Sequence, residues 1–179
     1  MFEVVKDVLL AKSWLWEFRE KYLKWIRYPW AYLWKKHWGV GVLVVDKKDR
    51  IALIKIFRIP LMKQLREMVR GSGEPNLTYQ QVAQKEVEEE LGVKPQQIQK
   101  LWYLTPDSGI LATQPPLFLA IVDDFEKYDV WWKDDGSYEF IFERNYFSFE
   151  QVQKMIKNGE ITDAFLINAI CLRKLKFKK

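Results

Sequence analysis

The sequence is poor in the residues that serve many catalytic and structural sites. It contains one cysteine, Cys171, and one histidine, His37, among 179 residues. One cysteine cannot form an intramolecular disulfide or a cysteine-based zinc site, which indicates a reducing compartment. One histidine excludes histidine-rich metal sites and argues against a Ser-His-Asp mechanism. Chemistry in this chain must therefore rest on carboxylates, arginines and lysines.

Long apolar runs are absent as well. No stretch approaches the roughly 18 apolar residues that a membrane-spanning helix needs. The start, Met1-Phe2-Glu3, lacks the basic leader of a secretory signal, so we expect a cytoplasmic protein. The composition, with 49% hydrophobic and 30% charged residues, is typical of a globular protein. A chain of this length can form one domain with a substantial core, and its net charge of +5 is modest.

Tryptophan is concentrated near the beginning of the chain. Six of the nine tryptophans lie between Trp14 and Trp38, interleaved with lysines and arginines. Apolar–polar alternation on either side of Pro29 favours aromatic-rich antiparallel strands over a basic amphipathic helix on a membrane. We predict that residues 1–38 form a strand extension ahead of a domain at 39–179. So many aromatic side chains exceed what one small domain can cover, so we also expect a homodimer.

The rest of the chain mixes strands and helices without regular βαβ repetition. β-branched runs and turn residues predict strands at 39–45, 51–57, 67–69, 98–104, 117–122 and 140–147. Capping residues predict helices over 79–91, 149–157 and from 164 onward. Thr78 is expected to begin the first of these helices and Gly92 to end it. This order predicts an α/β or α+β fold with a mixed sheet.

The first helix carries an unusual group of carboxylates. Glu86, Glu89 and Glu90 fall within one arc of the helix, whereas Glu88 points elsewhere. Carboxylates crowded on one arc repel one another unless a cation lies among them. Mg²⁺ takes oxygen ligands of this kind and often shares them with substrate phosphates. A solvated acidic face is the alternative interpretation.

With Gly71 fifteen residues ahead of Glu86, the segment resembles the Nudix box, G-x5-E-x7-R-E-U-x-E-E-x-G-U, where U is a bulky apolar residue. Seven of the nine constrained positions match: Gly71, Glu86, Val87, Glu89, Glu90, Gly92 and Val93. Leu77 and Lys85 depart, and they stand where the family has the Glu and Arg that brace the loop against the helix. In their place we expect packing of Leu77 and the turn at Gly71 to hold the loop. The resemblance implies a Nudix fold, with a mixed sheet sandwiched between helices.

Four further segments resemble the ADP-ribose pyrophosphatase branch of that family. They are residues 55–60, 67–71, 104–109 and 160–164. The resemblance implies a hydrolase that cleaves the diphosphate linkage of a nucleoside diphosphate derivative, ADP-ribose or a nucleotide sugar. It implies Mg²⁺ as cofactor, with Mn²⁺ as the alternative ion, and no nucleic-acid or membrane partner. A Nudix domain that binds a nucleotide without hydrolysing it is the alternative function.

The same resemblance implies roles for single residues. The implied metal ligands are Glu86, Glu89, Glu90 and the backbone carbonyl of Arg70. The implied substrate contacts are Arg58, Glu67, Trp16 and Trp34, with Trp14 as an alternative for stacking on adenine. The implied catalytic residues are Glu89 and Glu139, the latter as general base with Asp135 as its alternative.

Overall fold

The computed structural model describes residues 39–107, 113–128 and 141–177. The chain divides between Lys35 and Lys36, and every described residue belongs to the second unit. The predicted strand extension and dimer surface at 1–38 therefore lie outside the described residues, and so does the loop that contains Asp135 and Glu139.

The described residues form seven strands and three α-helices. The strands are β1 (Val40–Asp46), β2 (Arg50–Arg58), β3 (Lys63–Glu67), β4 (Val69–Gly71), β5 (Gln97–Tyr103), β6 (Pro116–Val122) and β7 (Ile141–Ser148). The helices are α1 (Tyr79–Leu91), α2 (Phe149–Lys157) and α3 (Ala164–Lys176), and short 3-10 turns lie at Ile59–Leu61 and Phe125–Lys127. Within the described ranges, no helix is long and apolar enough to span a bilayer.

All seven strands belong to one mixed sheet. Its main order is β3-β2-β1-β6-β5, with β4 paired to β1 and β7 paired to β2. β1 and β6 are parallel, and the other pairs are antiparallel. The predicted hairpin is confirmed, since β1 and β2 pair with Val45 opposite Ile51. The mixed sheet of the predicted α+β class is confirmed too.

Helices cover both faces of the sheet, because successive side chains of a strand point to opposite sides. Val42 and Val44 of β1 belong to the core cluster that contains Val87 of α1. Leu43, between them, belongs to a second cluster that contains residues of α2 and α3, such as Leu166. The sheet is thus sandwiched between α1 on one face and α2 with α3 on the other, as the resemblance implies.

The helix ends follow the capping residues in the sequence. Thr78 accepts a hydrogen bond from the backbone of Gln81, whose side chain bonds back in a capping box. Gly92 ends α1 with a φ of 66°, a left-handed conformation that favours glycine. One strand prediction is wrong in extent: where we expect a single strand at 67–69, the structure has β3 and β4, interrupted at Met68.

Candidate functional site

Gly71 and Glu86 are brought into direct contact. β4 places Gly71 beside Val40 at the start of β1, and α1 packs over β4 and β1. A Cβ atom on Gly71 would overlap the carboxyl group of Glu86. Any other residue at position 71 would displace that carboxylate, so glycine is needed here for close approach and not for a left-handed conformation. The glycine that begins the box thus contacts the first glutamate of the box on α1.

Glu90 lies one turn further along α1 and is buried, with 5% of its surface exposed. Arg144 of β7 donates a hydrogen bond from Nε to the backbone carbonyl of Glu90. Burial lowers the pKa of Arg144 below its usual value, while the charge of Glu90 opposes that shift. A positive side chain therefore lies beside the second carboxylate. The sequence analysis did not single out Arg144, because it lies 54 residues from Glu90 along the chain.

Glu89 faces a different environment from its two neighbours. Its side chain is 40% exposed and its carboxylate lies 3.4 Å from the ammonium group of Lys85. Lys85 also forms an ion pair with Glu74 in the loop that precedes α1. The hydrogen bond that Lys85 donates to Glu74 and the charge of Glu89 raise the pKa of Lys85. One lysine thus ties the loop to the helix and partly neutralises Glu89.

This ion pair corrects our expectation about the loop. Leu77 is 37% exposed and does not pack as a core residue. Glu74, three residues earlier, supplies the carboxylate that contacts Lys85. An ion pair between loop and helix therefore exists in this chain, with its acidic partner at a different position. Glu74 was visible in the sequence, but only the path of the loop brings it to Lys85.

Glu86 and Glu90 fit a divalent cation by their chemistry. Both offer carboxylate oxygens one turn apart on α1, and the Glu86 carboxylate occupies the space that a Cβ on residue 71 would fill. Mg²⁺ prefers oxygen ligands and is usually bound by only one or two carboxylates together with substrate phosphates. Within ranges 39–107, 113–128 and 141–177, no three Asp, Glu, His or Cys residues group together in a way that could hold a metal ion. Two helix carboxylates, completed by other oxygen ligands, are the arrangement that the described residues support.

Glu67 is the most deeply buried charge near this loop, with 1% of its surface exposed. Arg58 donates to both of its carboxylate oxygens, at 2.6–3.2 Å, and Arg70 donates to Oε2 as well. Burial alone would raise the pKa of Glu67, but the hydrogen bonds and charges of Arg58 and Arg70 outweigh it and hold the pKa below its usual value. In the structure Glu67 binds two arginines, and its expected contact with substrate stays a prediction.

Arg70 links this group to the start of α3. Its Nη1 atom lies 3.8 Å from Asp163, and its guanidinium carbon lies 4.7 Å from the centre of the Phe165 ring. Asp163 caps α3 by accepting from the backbone of Phe165 and Leu166. Burial raises the pKa of Asp163, and the charge of Arg70 opposes that shift. The side chain of Arg70 is thereby held on both sides, directly before Gly71.

The structure thus brings together some of the predicted site residues. Glu86 and Glu90 lie beside the Gly71 loop, and Arg58, Glu67 and Arg70 form one ion-pair cluster, whereas Glu89 turns towards Lys85. Five residues with predicted roles lie outside the described residues: Trp16, Trp34 and Glu139, and the alternatives Trp14 and Asp135. The sequence analysis missed Glu74 and Arg144, and it included Asp163 only within the segment 160–164.

Residues 35–170 match the family described as NUDIX domain. The chain belongs to the Nudix family. A comparison with curated proteins returned no match. A solved structure titled "Crystal structure of ADP compounds hydrolase" has the same fold, with a TM-score of 0.62 over 78% of this chain and 73% of that chain. The two sequences are 14% identical, so this likeness concerns the fold.

Family membership makes this chain a Nudix hydrolase, a pyrophosphohydrolase of a family that generally uses divalent metals. The Nudix box lies at β4, the loop after it and α1, where the structure joins Gly71 to Glu86. The ion pair between Lys85 and Glu74 then stands where other Nudix domains use the first Glu and the Arg of the box.

Loss of the Glu74 carboxylate is expected to weaken metal binding slightly. In Glu74→Gln, the loop before α1 loses its ion pair with Lys85. Both side chains are about 40% exposed, so solvent screens the pair and we expect a two- to threefold rise in the metal concentration at half saturation. Substrate preference should not change. Isothermal titration calorimetry with Mn²⁺ measures the metal concentration at half saturation without relying on activity.

Glu88→Gln is the matched control, because Glu88 is an exposed glutamate of the same helix, and its side chain accepts a hydrogen bond from Gln84. The double change Leu77→Glu with Lys85→Arg restores the family residues, and it should alter metal binding less than the loss of Glu74 does. Equal metal binding in wild type and Glu74→Gln would show that the ion pair has no part in holding the loop.

Proposed function

We propose that this Nudix hydrolase cleaves the diphosphate linkage of a nucleoside diphosphate derivative, with ADP-ribose or a nucleotide sugar as substrate and Mg²⁺ as cofactor. The observation that carries the proposal is the contact between Gly71 and the Glu86 carboxylate, one helical turn from buried Glu90. Two carboxylates one turn apart beside the loop before α1 support a site for a divalent cation and the phosphates it binds. Mn²⁺ is the alternative ion, since it accepts the same oxygen ligands.

The metal site would be formed by Glu86, Glu90 and the backbone carbonyl of Arg70. A bound divalent cation supplies polarisation of the phosphoryl oxygens and a lowered pKa for the attacking water. Glu67 and Asp163 hold the Arg70 side chain, which keeps the backbone next to Gly71 in place. Glu89, beside Lys85, serves as an additional carboxylate at the edge of the site.

Arg58 and Arg70 are suited to receive the negative charge of the diphosphate. Their side chains are 30% and 24% exposed, and both are oriented by the same buried carboxylate of Glu67. A guanidinium carries a permanent positive charge and five N–H donors in a planar fork that matches phosphate oxygens. Arg58 thus serves as a contact to phosphate or the terminal ribose. In this proposal Glu67 orients the two arginines, while Glu139 removes the proton from water.

A panel of diphosphate substrates tests this function. With ADP-ribose, water adds to one phosphorus and one P–O bond of the bridge breaks, so AMP and ribose 5-phosphate are released. We expect turnover of ADP-ribose or of a nucleotide sugar with Mg²⁺ or Mn²⁺. Removal of the metal with EDTA should lower the rate at least about 100-fold, since the cation supplies several kcal/mol of charge stabilisation.

Binding of these compounds without hydrolysis would overturn the proposal in favour of a nucleotide-binding module. Hydrolysis of nucleoside triphosphates alone would keep the metal chemistry but overturn the substrate class. The released products, separated by chromatography, distinguish these outcomes.

A further inference from the structure

A second feature of the molecule lies at the edge of the sheet that β5 forms. Trp102 and Tyr103 of this strand are 60% and 44% exposed, and their rings meet edge to face with centres 6.4 Å apart. The end of α3 adds Leu175, which is 66% exposed, and Phe177, which is 38% exposed. Lys176 joins the two elements, because its ammonium group lies 5.4 Å from the centre of the Trp102 ring.

We call this region the β5–α3 surface. It comprises Lys100, Trp102, Tyr103, Lys174, Leu175, Lys176 and Phe177. It borders a cavity of about 620 Å³ whose lining includes Gln97 and Gln99 of β5, Leu119 and Ile121 of β6, and Lys174 and Phe177 of α3.

The lysines of this surface make no ion pair within the described ranges. Lys100 lies over the ring of Tyr103, at 3.5 Å from its centre, and neither Lys174 nor Lys176 pairs with a described carboxylate. Four other described lysines also lack an ion pair, namely Lys63, Lys94, Lys154 and Lys157, but none of them has a ring contact like that of Lys100 or Lys176. The acidic residues of the adjoining cavity, Asp46 and Asp49, pair with Arg50 and Arg173. Positive charge and exposed aromatic surface therefore occur together on the β5–α3 surface.

The excess of positive over negative charge lies in the last seven residues of the given sequence. The last seven residues, from Arg173 to Lys179, contain five cations and no acidic residue. These five charges equal the net charge of +5, so positive and negative residues are equal in number before Arg173. The macrodipole favours cations at the end of any helix, but it does not account for exposed tryptophan and tyrosine on the neighbouring strand.

We propose that the β5–α3 surface binds the anionic face of a lipid bilayer. Tryptophan and tyrosine favour the headgroup level of a membrane, where the ring is half apolar and half polar. Leu175 and Phe177 supply apolar surface that can enter the boundary, while Lys100, Lys174 and Lys176 meet the negative headgroups. A nucleic acid would also attract the lysines and stack on the aromatic rings, but an exposed leucine gives it no contact of comparable value.

Strand pairing relates this surface to the Nudix box. Trp102 lies opposite Leu117 of β6, Leu117 lies opposite Gly41 of β1, and Gly41 lies opposite Arg70 of β4. The aromatic pair is therefore level with the box along the strands, and three strand spacings, about 14 Å, separate Trp102 from Arg70 across the sheet. The proposal departs from our expectation of no membrane partner, which stays a prediction, and it does not depend on the substrate.

Vesicle flotation with the full chain tests the proposal. The vesicles consist of phosphatidylcholine alone, or of phosphatidylcholine with about one third phosphatidylserine. We expect binding only to the phosphatidylserine vesicles, and its loss when salt rises from about 0.1 M to about 1 M, because screening shortens from about 10 Å to about 3 Å. Lys174→Gln with Lys176→Gln should weaken binding about 20-fold, since each lysine near an anionic surface contributes about fivefold. Trp102→Ala should weaken it about tenfold.

Matched controls test whether vesicle binding depends on the β5–α3 surface or only on net charge and exposed aromatic area. Lys154→Gln with Lys157→Gln removes the same charge from exposed positions at the end of another helix, α2, and Phe142→Ala removes an exposed aromatic ring from β7. Both controls should bind vesicles like wild type, and circular dichroism confirms that each variant is folded. Equal loss in the controls, equal binding to neutral vesicles, or no vesicle binding at all would overturn the proposal. Binding of a single-stranded oligonucleotide with the same dependence on Trp102 and the lysines, but not of vesicles, would assign the surface to nucleic acid instead.

Discussion

Replacing either Glu86 or Glu90 by glutamine is expected to lower the turnover of a diphosphate substrate at least about 100-fold. Glutamine keeps the shape of the side chain but removes the charge that binds a divalent cation. The Glu86 carboxylate lies against Gly71, and Glu90 is buried one turn further along α1, whereas the neighbouring Glu89 pairs with Lys85. The rate of product release at saturating metal and substrate measures the effect.

Glu88→Gln is the control for both variants, since Glu88 is exposed on the other side of α1 and should leave the rate unchanged. Thermal unfolding of the three variants shows whether the helix remains intact. If Glu86→Gln and Glu90→Gln both hydrolyse substrate at the wild-type rate, the metal site does not lie on this helix.

A second large effect is expected from Glu67→Gln, this time on stability. Glu67 is 1% exposed and holds Arg58 and Arg70, so its neutralisation leaves two guanidinium groups facing an amide. Breaking a buried ion pair from one side costs about 3 kcal/mol in the free energy of unfolding, and this value is at the low end because the arginines keep contact with water. Denaturant unfolding at pH 7 measures the loss.

The pH dependence of this loss follows from the lowered pKa of Glu67. A carboxyl group with a lowered pKa in the folded state stabilises the protein above the unfolded pKa of about 4.3. That stabilisation disappears as the pH falls through the lower folded value. The difference in unfolding free energy between wild type and Glu67→Gln should thus be complete at pH 7 and shrink below about pH 4.

Glu143→Gln is the matched control, because Glu143 pairs with Lys55 on the exposed side of the same sheet. It should change stability little, since solvent screens such pairs. A wild-type unfolding free energy for Glu67→Gln would mean that Arg58 and Arg70 are held by other contacts.

The box could be predicted because all its parts lie close together in the sequence. Glu86 and Glu90 share a helix face by their spacing alone, and Thr78 and Gly92 mark the ends of that helix with residues whose conformational preferences are local. Alternation of apolar residues was likewise enough for the hairpin of β1 and β2. The predicted aromatic extension, its homodimer and the base Glu139 stay predictions, since they lie outside the described residues.

Only the tertiary structure determines which charged side chains form ion pairs with one another. The motif predicted a substrate contact for Glu67, which stays a prediction, but only strand pairing shows that its carboxylate lies between Arg58 and Arg70. Leu77 looked like the support of the loop, but the path of the chain exposes it and brings Glu74 to Lys85. Helix periodicity and capping act over a few residues and can be read in order along the chain. An ion pair depends on where two distant segments meet, and that is fixed only when the sheet and its helices pack together.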